Sequence, residues 1–402
     1  MVEWKEISNL GDYFGGLTGK TKKDFENGNA KFITYMNVFS NPSLDVNTVG
    51  MVHINEGERQ NKVQKGDILF SGSSETHDEA GMSCVVTDDL EGDYYMNSFC
   101  FGLRLNNPEL YNLHYFKHVL RSYNIRQAIS KTASGVTRFN ISKARFGKVQ
   151  IPIPSLEEQK RIVGILDTFT DSIENLKQQI AQRRKQFEFY RDQLLDLEGK
   201  EGVEMKTLGE LSIIVTKQTG FDYSSKIKPA LQIKPTDNSI PFLQTKNFTG
   251  RKFDYNTDYY VPTHIVNQFP KIVLDKECLL LSIVGASIGN VGLFPGTTRC
   301  FLGGAICVLK FHEVINVHYI YEIMSSWYGQ KLIRSKTKGA GQATITVEDI
   351  RNFSIPLPSA KEQSRIVSIL DTFEASISNL EAQLAQRQKQ YEYYRNQLLT
   401  FE

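Results

Sequence analysis

Several familiar signatures are missing from these 402 residues. Nowhere does G-x-x-x-x-G-K-[ST] occur, the loop whose amides cradle a nucleotide's phosphates. Gly285-Ala-Ser-Ile-Gly289-Asn-Val-Gly292 is glycine-rich but lacks the lysine, and reads as strand–turn–strand. Without a phosphate loop, His77-Asp78-Glu79-Ala80 reads as a polar turn. Asn106-Asn107-Pro108-Glu109 lacks the second proline and the aromatic of the amino-methyltransferase motif, and reads as a helix N-terminus. The five cysteines are odd in number and form no C-x-x-C pair, which argues against a disulfide framework or a zinc site and for a reducing cytosol. His114 and His118 share a helix face at a metal-compatible spacing but have no third ligand, so core or solvated histidines are expected. No apolar run approaches membrane-spanning length, and Met-Val-Glu-Trp-Lys-Glu is no signal peptide. The expectation is a cytoplasmic chain with no catalytic site, no metal and no cofactor of its own.

A strong excess of one charge is lacking too. The net charge of +2 divides as 0 over residues 1–150, −2 over 151–198, +5 over 199–354 and −1 over 355–402. A mildly basic third segment is compatible with nucleic acid, but charge alone does not point to DNA.

What is present is a duplication. Residues 151–198 and 355–402 align without a gap at an offset of 204, with 31 identities in 48 positions. Each copy opens on Ile-Pro-[Ile/Leu]-Pro, which holds the chain extended because a residue before proline avoids the helical region. Ser155 then precedes Glu158 by three, and Ser359 precedes Glu362 by three, the spacing of a capping box. Apolar residues follow at alternating intervals of four and three: Ile162, Leu166, Phe169, Ile173, Leu176 and Ile180, resuming at Phe187. The second copy repeats the series from Ile366, and each skips one seam position, filled by Arg183 and Arg387.

A sustained 3.5-residue repeat predicts a coiled-coil helix. The stretch from Ile162 to Leu197 would be roughly 54 Å long. Such a rod cannot hide its stripe within one globular part, and the available partner is the other copy. Only Gly199-Lys-Glu-Gly202 joins the first helix to the segment that feeds the second. A compact segment of that size has a radius of gyration near ~15 Å. A parallel pair would force it to bridge the whole rod, so the pair is expected to be antiparallel, with a pseudo-two-fold relating the halves.

The segments before the helices match weakly but in order. Val2-Glu3-Trp4-Lys5 echoes Val203-Glu204-Met205-Lys206. Strand-like runs at residues 32–39, 66–70 and 98–105 correspond to runs at 240–248, 278–284 and 305–311. One helix is expected in each half, near 113–130 and 317–335, followed by a basic glycine-bearing loop at 131–138 and 336–344. The fold class is therefore α+β: two similar mixed α/β domains joined by two long helices in an intramolecular antiparallel coiled coil. The predicted boundaries are 1–150, 151–198, 199–354 and 355–402.

At this point the chain resembles the specificity subunits of Type I restriction-modification systems over its whole length. The paired Ile-Pro-[Ile/Leu]-Pro-x-x-x-Glu-Gln-x-x-Ile segments, the Asn140-Ile-Ser142 step and Gly66-Asp67-Ile68-Leu69-Phe70 carry the likeness. The second half departs from it with Glu277-Cys278 where Gly-Asp is usual. The resemblance implies a non-enzymatic subunit with two target-recognition domains, each reading one half of a bipartite double-stranded DNA target. The helices would act as spacer and as docking platform for two methyltransferase subunits. S-adenosylmethionine and ATP would then belong to partner subunits, ATP to those that translocate and cleave.

Base edges and phosphates are met by Arg, Lys, Asn, Gln, Ser and Thr. The loops supply Lys20, Thr21, Lys22, Asn37, Ser71, Ser73, His77 and Arg138 in the first domain as DNA-binding candidates. In the second they supply Thr245, Lys246, Asn247, Ser287, Lys336, Lys338, Gln342 and Thr344. Each alone is an ordinary solvated loop residue; together they occupy matching positions. Two other classes of function remain open: a coiled-coil adaptor that never touches DNA, and a self-sufficient modifying enzyme, which the missing motifs disfavour.

Overall fold

The computed structural model describes residues 2–339 and 343–401. The chain forms two compact units, Met1–Gln178 with Glu381–Glu402, and Gln179–Leu380. Each long helix, Leu156–Leu195 and Ala360–Leu398, begins in one unit and finishes in the other.

The first unit starts with Glu3–Glu6 paired antiparallel to Gln150–Ile153, so Trp4 faces Pro152. One four-stranded sheet follows the order Gly11–Gly15, Cys100–Leu105, Asp67–Ser71, Ser83–Val85. A second runs Gly50–Val52, Ala30–Ile33, Tyr94–Met96, Lys62–Val63, its central pair parallel. The second unit repeats this plan. Glu204–Thr207 pairs with Ser354–Leu357. The first sheet is Ser212–Lys217, Ile306–Phe311, Cys278–Ser282, Val291–Phe294. The second is Tyr260–Pro262, Ser239–Leu243, Cys300–Leu302, Val273–Leu274, with the same parallel pair.

Three local expectations are corrected. The run at 32–39 is strand only to Ile33; Thr34 then caps a helix, Tyr35–Ser40, by accepting from the Asn37 amide at 3.1 Å. A local cap here outweighs the β-propensity of the run. The single helices expected near 113–130 and 317–335 are each two: Leu113–Val119 with Tyr123–Ser130, and Val317–Ser325 with Trp327–Lys336. In both halves a serine, Ser122 or Ser326, marks the break, its hydroxyl donating to a carbonyl three residues back. The third correction concerns the capping boxes, of which only half forms. The Glu158 and Glu362 amides donate to Ser155 and Ser359 at 3.3 Å, but both carboxylates turn to Arg161 and Arg365 at 2.7–2.8 Å.

Within each unit the two long helices run antiparallel. In the first, Ile162 and Leu166 share a core with Leu398, Leu399 and Phe401, and Phe169 stacks on Tyr394 at 5.2 Å. In the second, Leu194 and Leu195 share a core with Ile366 and Leu370, and Tyr190 stacks on Phe373 at 5.5 Å. Numbers rise along one helix as they fall along the other. The seam arginines lie over aromatic rings, Arg183 over Phe373 at 5.9 Å and Arg387 over Phe169 at 5.6 Å. Their aliphatic stems thereby cover apolar surface while the guanidinium keeps a favourable partner.

The start of each long helix is tied to its own globular part by the same contacts twice. Tyr115 and Tyr319 donate from their hydroxyls to the Pro152 and Pro356 carbonyls at 2.9 and 2.7 Å. The Gln159 and Gln363 side chains donate to the Pro154 and Pro358 carbonyls at 2.9 and 2.8 Å. The proline pairs thus present carbonyls that buried partners claim.

Burial along the helices is uneven: Leu166 and Leu370 are fully buried, whereas Tyr190 and Tyr394 are each 44% exposed. Leu166→Ala or Leu370→Ala should therefore cost about 2–5 kcal/mol in chemical denaturation, the range for emptying a buried leucine site. Tyr394→Ala should cost clearly less. Equal losses at the two kinds of position would contradict the uneven burial.

Candidate nucleic-acid interface

In the first unit the structure gathers Ser73, His77 and Arg138 around a small three-stranded sheet, Ala133–Ser134, Phe139–Ile141 and Ser73–Ser74. Arg138 donates to the Ser73 hydroxyl at 3.2 Å and lies 5.1 Å over the exposed ring of Phe99. His77 meets Phe139 edge-on at 5.5 Å and its Nδ1 lies 3.2 Å from Asp78. Gly135 holds a φ of +147° at the tip of this loop, beside Val136, which is almost fully exposed. Ser71 lies beneath, buried, accepting from the Met82 amide at 2.9 Å.

The remaining candidates of this unit sit elsewhere. Lys20 donates to Glu58 at 2.6 Å and to the His53 carbonyl at 2.7 Å. The lysine and neighbouring amides hold the Glu58 carboxyl down at about 2. Thr21 caps a short turn through Asp24, in which Lys22 is exposed. Asn37 is buried and donates to the Asp45 carbonyl at 2.7 Å.

In the second unit Ser287, Lys336, Lys338 and Thr344 come together. Lys338 and Thr344 exchange backbone hydrogen bonds at 2.9 Å, and Thr344 bridges to Val284 beside the turn Gly285–Ser287. Lys336 ends the neighbouring helix, and Gln342 lies outside the described residues. Thr245, Lys246 and Asn247 form a separate turn. There Lys246 is paired with Asp258, and Asn247 is buried and accepts from the Gln244 amide at 2.9 Å. The two loop sets occupy corresponding places on one scaffold and carry different side chains.

Each globular part also anchors to the long helices through a partly buried ionic cluster built on one buried residue, His118 or Glu322, and the two clusters have opposite sense. In the first unit Asp167 accepts from His118 at 2.7 Å and Lys117 at 2.8 Å, with His114 at 3.7 Å. The other His118 nitrogen meets the Tyr391 hydroxyl at 3.0 Å. Burial pushes the His118 pKa down; at Asp167 burial works upward, but the His118 and Lys117 hydrogen bonds outweigh it and hold the carboxyl low. In the second unit, Arg251 holds Glu322 at 2.8 Å, Asp371 at 2.7 Å and Glu374 at 3.0 Å. Glu322 and Asp371 stand 204 positions after His118 and Asp167. Burial, then the charge of Glu374, pushes the Glu322 carboxyl up to about 7 in spite of Arg251.

Residue spacing did not flag four of the half-exposed rings. Tyr123 and Tyr393 in the first unit, and Trp327 and Phe189 in the second, are 58–63% exposed and equivalent at the 204 offset. The Tyr123 and Trp327 amides donate to Asn396 and Asp192 at 3.2 Å. Among the described residues no cluster of three or more His, Cys, Asp or Glu could hold a metal ion, and no helix is long and apolar enough to cross a membrane.

The sequence matches the family model described as the Type I restriction modification DNA specificity domain twice, over residues 1–183 and 200–388. The chain belongs to this family. The specificity subunit of the Escherichia coli Type I restriction enzyme EcoR124I/EcoR124II is 34% identical over 272 residues, 63% of this chain and 63% of that subunit, so the match spans less than two thirds of that relative. The putative MjaX specificity subunit of Methanocaldococcus jannaschii is 27% identical over 96% of this chain and 89% of its own length. Among solved structures, a chain from a study of complex assembly and conformational transition of the type I R-M system superposes with a TM-score of 0.63 at 17% identity, covering 99% of this chain and 97% of that one. The S subunit from M. genitalium gives 0.55 at 16%, covering 100% and 97%. At such identities the superpositions speak for the fold, which this specificity-domain chain shares.

The ionic clusters yield a pH test. Between the ordinary glutamate value of 4.5 and about 7, folded Glu322 keeps a proton that the unfolded chain has released. Its contribution to stability therefore falls as pH rises through that window. Glu322→Gln removes the titration, so the melting temperature of the variant relative to the native protein should rise from pH 5 to pH 8. His118 titrates equally in both proteins and cancels. A difference that does not vary with pH would contradict the raised pKa.

Proposed function

We propose that this chain is the DNA-recognition subunit of a Type I restriction-modification complex and carries no catalytic centre of its own. Each globular part reads one half of a bipartite duplex target, and the paired helices set the separation of the halves. The observation that carries this reading is one scaffold built twice with unlike loops: Ser73, His77, Phe99 and Arg138 in one place, Ser287, Lys338 and Thr344 in its counterpart. A duplicated single-purpose binder would keep its loops alike; a split asymmetric target calls for two different readers on one frame. Arg138, aligned by Ser73 and supported on Phe99, is placed to meet a base edge or phosphate, where a guanidinium gives the strongest polar contacts.

Two methyltransferase subunits dock on the chain in this reading. The exposed rings repeated in both units, Tyr123 and Tyr393 in one and Trp327 and Phe189 in the other, support it, because aromatic rings are enriched where protein surfaces associate. Two equivalent patches suit two copies of one partner. S-adenosylmethionine and ATP bind those and further subunits. The complex works in the cytoplasm, which agrees with five cysteines that are all buried and unpaired.

An exchange of residues 1–150 for the corresponding segment of another family member tests the reading. Expressed with the partner subunits in a methylation-free host and mapped by methylation-sensitive sequencing, the chimera should alter one half of the modified motif only. Changes in both halves, or in neither, would contradict independent reading.

A further inference from the structure

Between the turn Thr245–Asn247 and the start of the helix Gly220–Asp222, the second unit holds a cleft of about 340 Å³. Gln218 and Gln244 line it, with Thr245 beside them and the glycine pair Gly303-Gly304 facing them. Along one wall Phe242 stacks on Tyr223, centroids 6.4 Å apart and planes 11° from parallel. Gln218 is only 3% exposed, and its amide nitrogen makes a long bond of 3.4 Å to the Leu302 carbonyl. The Gln218 side-chain oxygen is covered and accepts nothing, and that of Gln244 faces only the Asn247 amide of its own turn, without a full hydrogen bond. Buried amide oxygens without donors are costly to a fold. Two lining one cleft indicate a donor that arrives with a ligand, and the broad terminal torsion of glutamine lets each oxygen turn to meet it.

The first unit has closed the corresponding place. Lys217 pairs with Cys307 as Gly15 pairs with Phe101, so Gly16 matches Gln218 and Thr34 matches Gln244. At Gly16 an added Cβ would stand 2.1 Å from the Asn97 carbonyl oxygen, leaving no room for a side chain. Thr34 is occupied in capping its helix. In the second unit a Cβ on Gly304 would come within 3.1 Å of the Gln218 oxygen, so glycine there keeps the space beside that oxygen open.

Resting on the proposed DNA reading, we infer that this cleft is a base-reading site of the second unit: Gln218 and Gln244 each accept one hydrogen bond from the exocyclic amino group of a different adenine or cytosine of the target. Only adenine N6 and cytosine N4 present such donors in the major groove, and glutamine is suited to the adenine edge. Each acceptor oxygen thereby fixes which strand carries the amino-bearing base at its own position. The corresponding position in the first unit reads nothing this way, consistent with unlike half-targets.

The test uses the chain with its partner subunits, with the modified motif mapped by methylation-sensitive sequencing. Gln218→Ala and Gln244→Ala should each relax discrimination at one position of the second half-target by about 5- to 150-fold, the worth of one good side-chain–base contact, and leave the first half unchanged. Gln218→Glu should move the preference toward cytosine, since carboxylates accept from its N4. An unchanged motif in the glutamine variants would overturn the inference. If an alanine variant loses modification with its melting temperature intact, the inference is supported; if it melts early, Gly304→Ala decides, because it narrows the cleft without removing either amide. A relaxed second half in Gly304→Ala supports the site, and a native motif rejects it. Exchange of residues 203–353 for another member's segment separates the two levels. If that exchange rewrites the second half while the glutamine variants do not, the cleft is wrong and the DNA reading stands; if it rewrites nothing, the DNA reading itself fails.

Discussion

An amphipathic helix of 39 or 40 residues carries an apolar stripe that no single globular part of this size can cover. That constraint governs the molecule. Each unit answers it by recruiting both helices, burying the first half of one against the second half of the other. The seams are therefore the natural part to be kept between copies, while the loops beyond the sheets are free to diverge.

The junction between globular part and helix shows how far the copies have separated without losing the frame. Tyrosine, glutamine and proline carbonyl repeat at the 204 offset, and so does the aspartate that anchors each cluster. Around that aspartate the charges are reversed: Asp167 gathers cationic or titratable nitrogens, whereas Asp371 joins other carboxylates about Arg251. Both arrangements satisfy buried charge by pairing, which is what such sites require. Exchanging a globular part together with its own cluster residues keeps each set complete, provided the helix position remains an aspartate.

The long helices and their antiparallel pairing were legible because a 3.5-residue repeat and a short linker leave few alternatives. Strand order was half legible, in runs such as residues 278–284 and 305–311 that are buried along most of their length and bounded by turns. The breaks were not: nothing in the helical pattern of 113–130 announces that Ser122 will interrupt it, and Thr34 ends a strand through a single hydroxyl. Candidate contacts fared by burial. Arg138, Lys338 and Thr344 lie on open loops, while Asn37, Ser71 and Asn247 hold the scaffold together. Polar residues near glycine-bearing turns look alike in sequence whether they face solvent or stitch the turn from within. Gln218 and Gln244 had no signal at all, since a glutamine after a strand has no distinguishing neighbours, and only their covered oxygens, without a full hydrogen bond beside a cleft, mark them.

The most direct measurement of the central proposal, that paired helices set the separation of two DNA readers, is the gap in the modified motif after one heptad is inserted in register into both helices. The insertion adds about 10.5 Å of helix, which at 3.4 Å per base pair should widen the unread gap by about 3 base pairs. Both flanking half-motifs should stay the same. A gap of unchanged length, in a complex that still modifies DNA, would contradict the account.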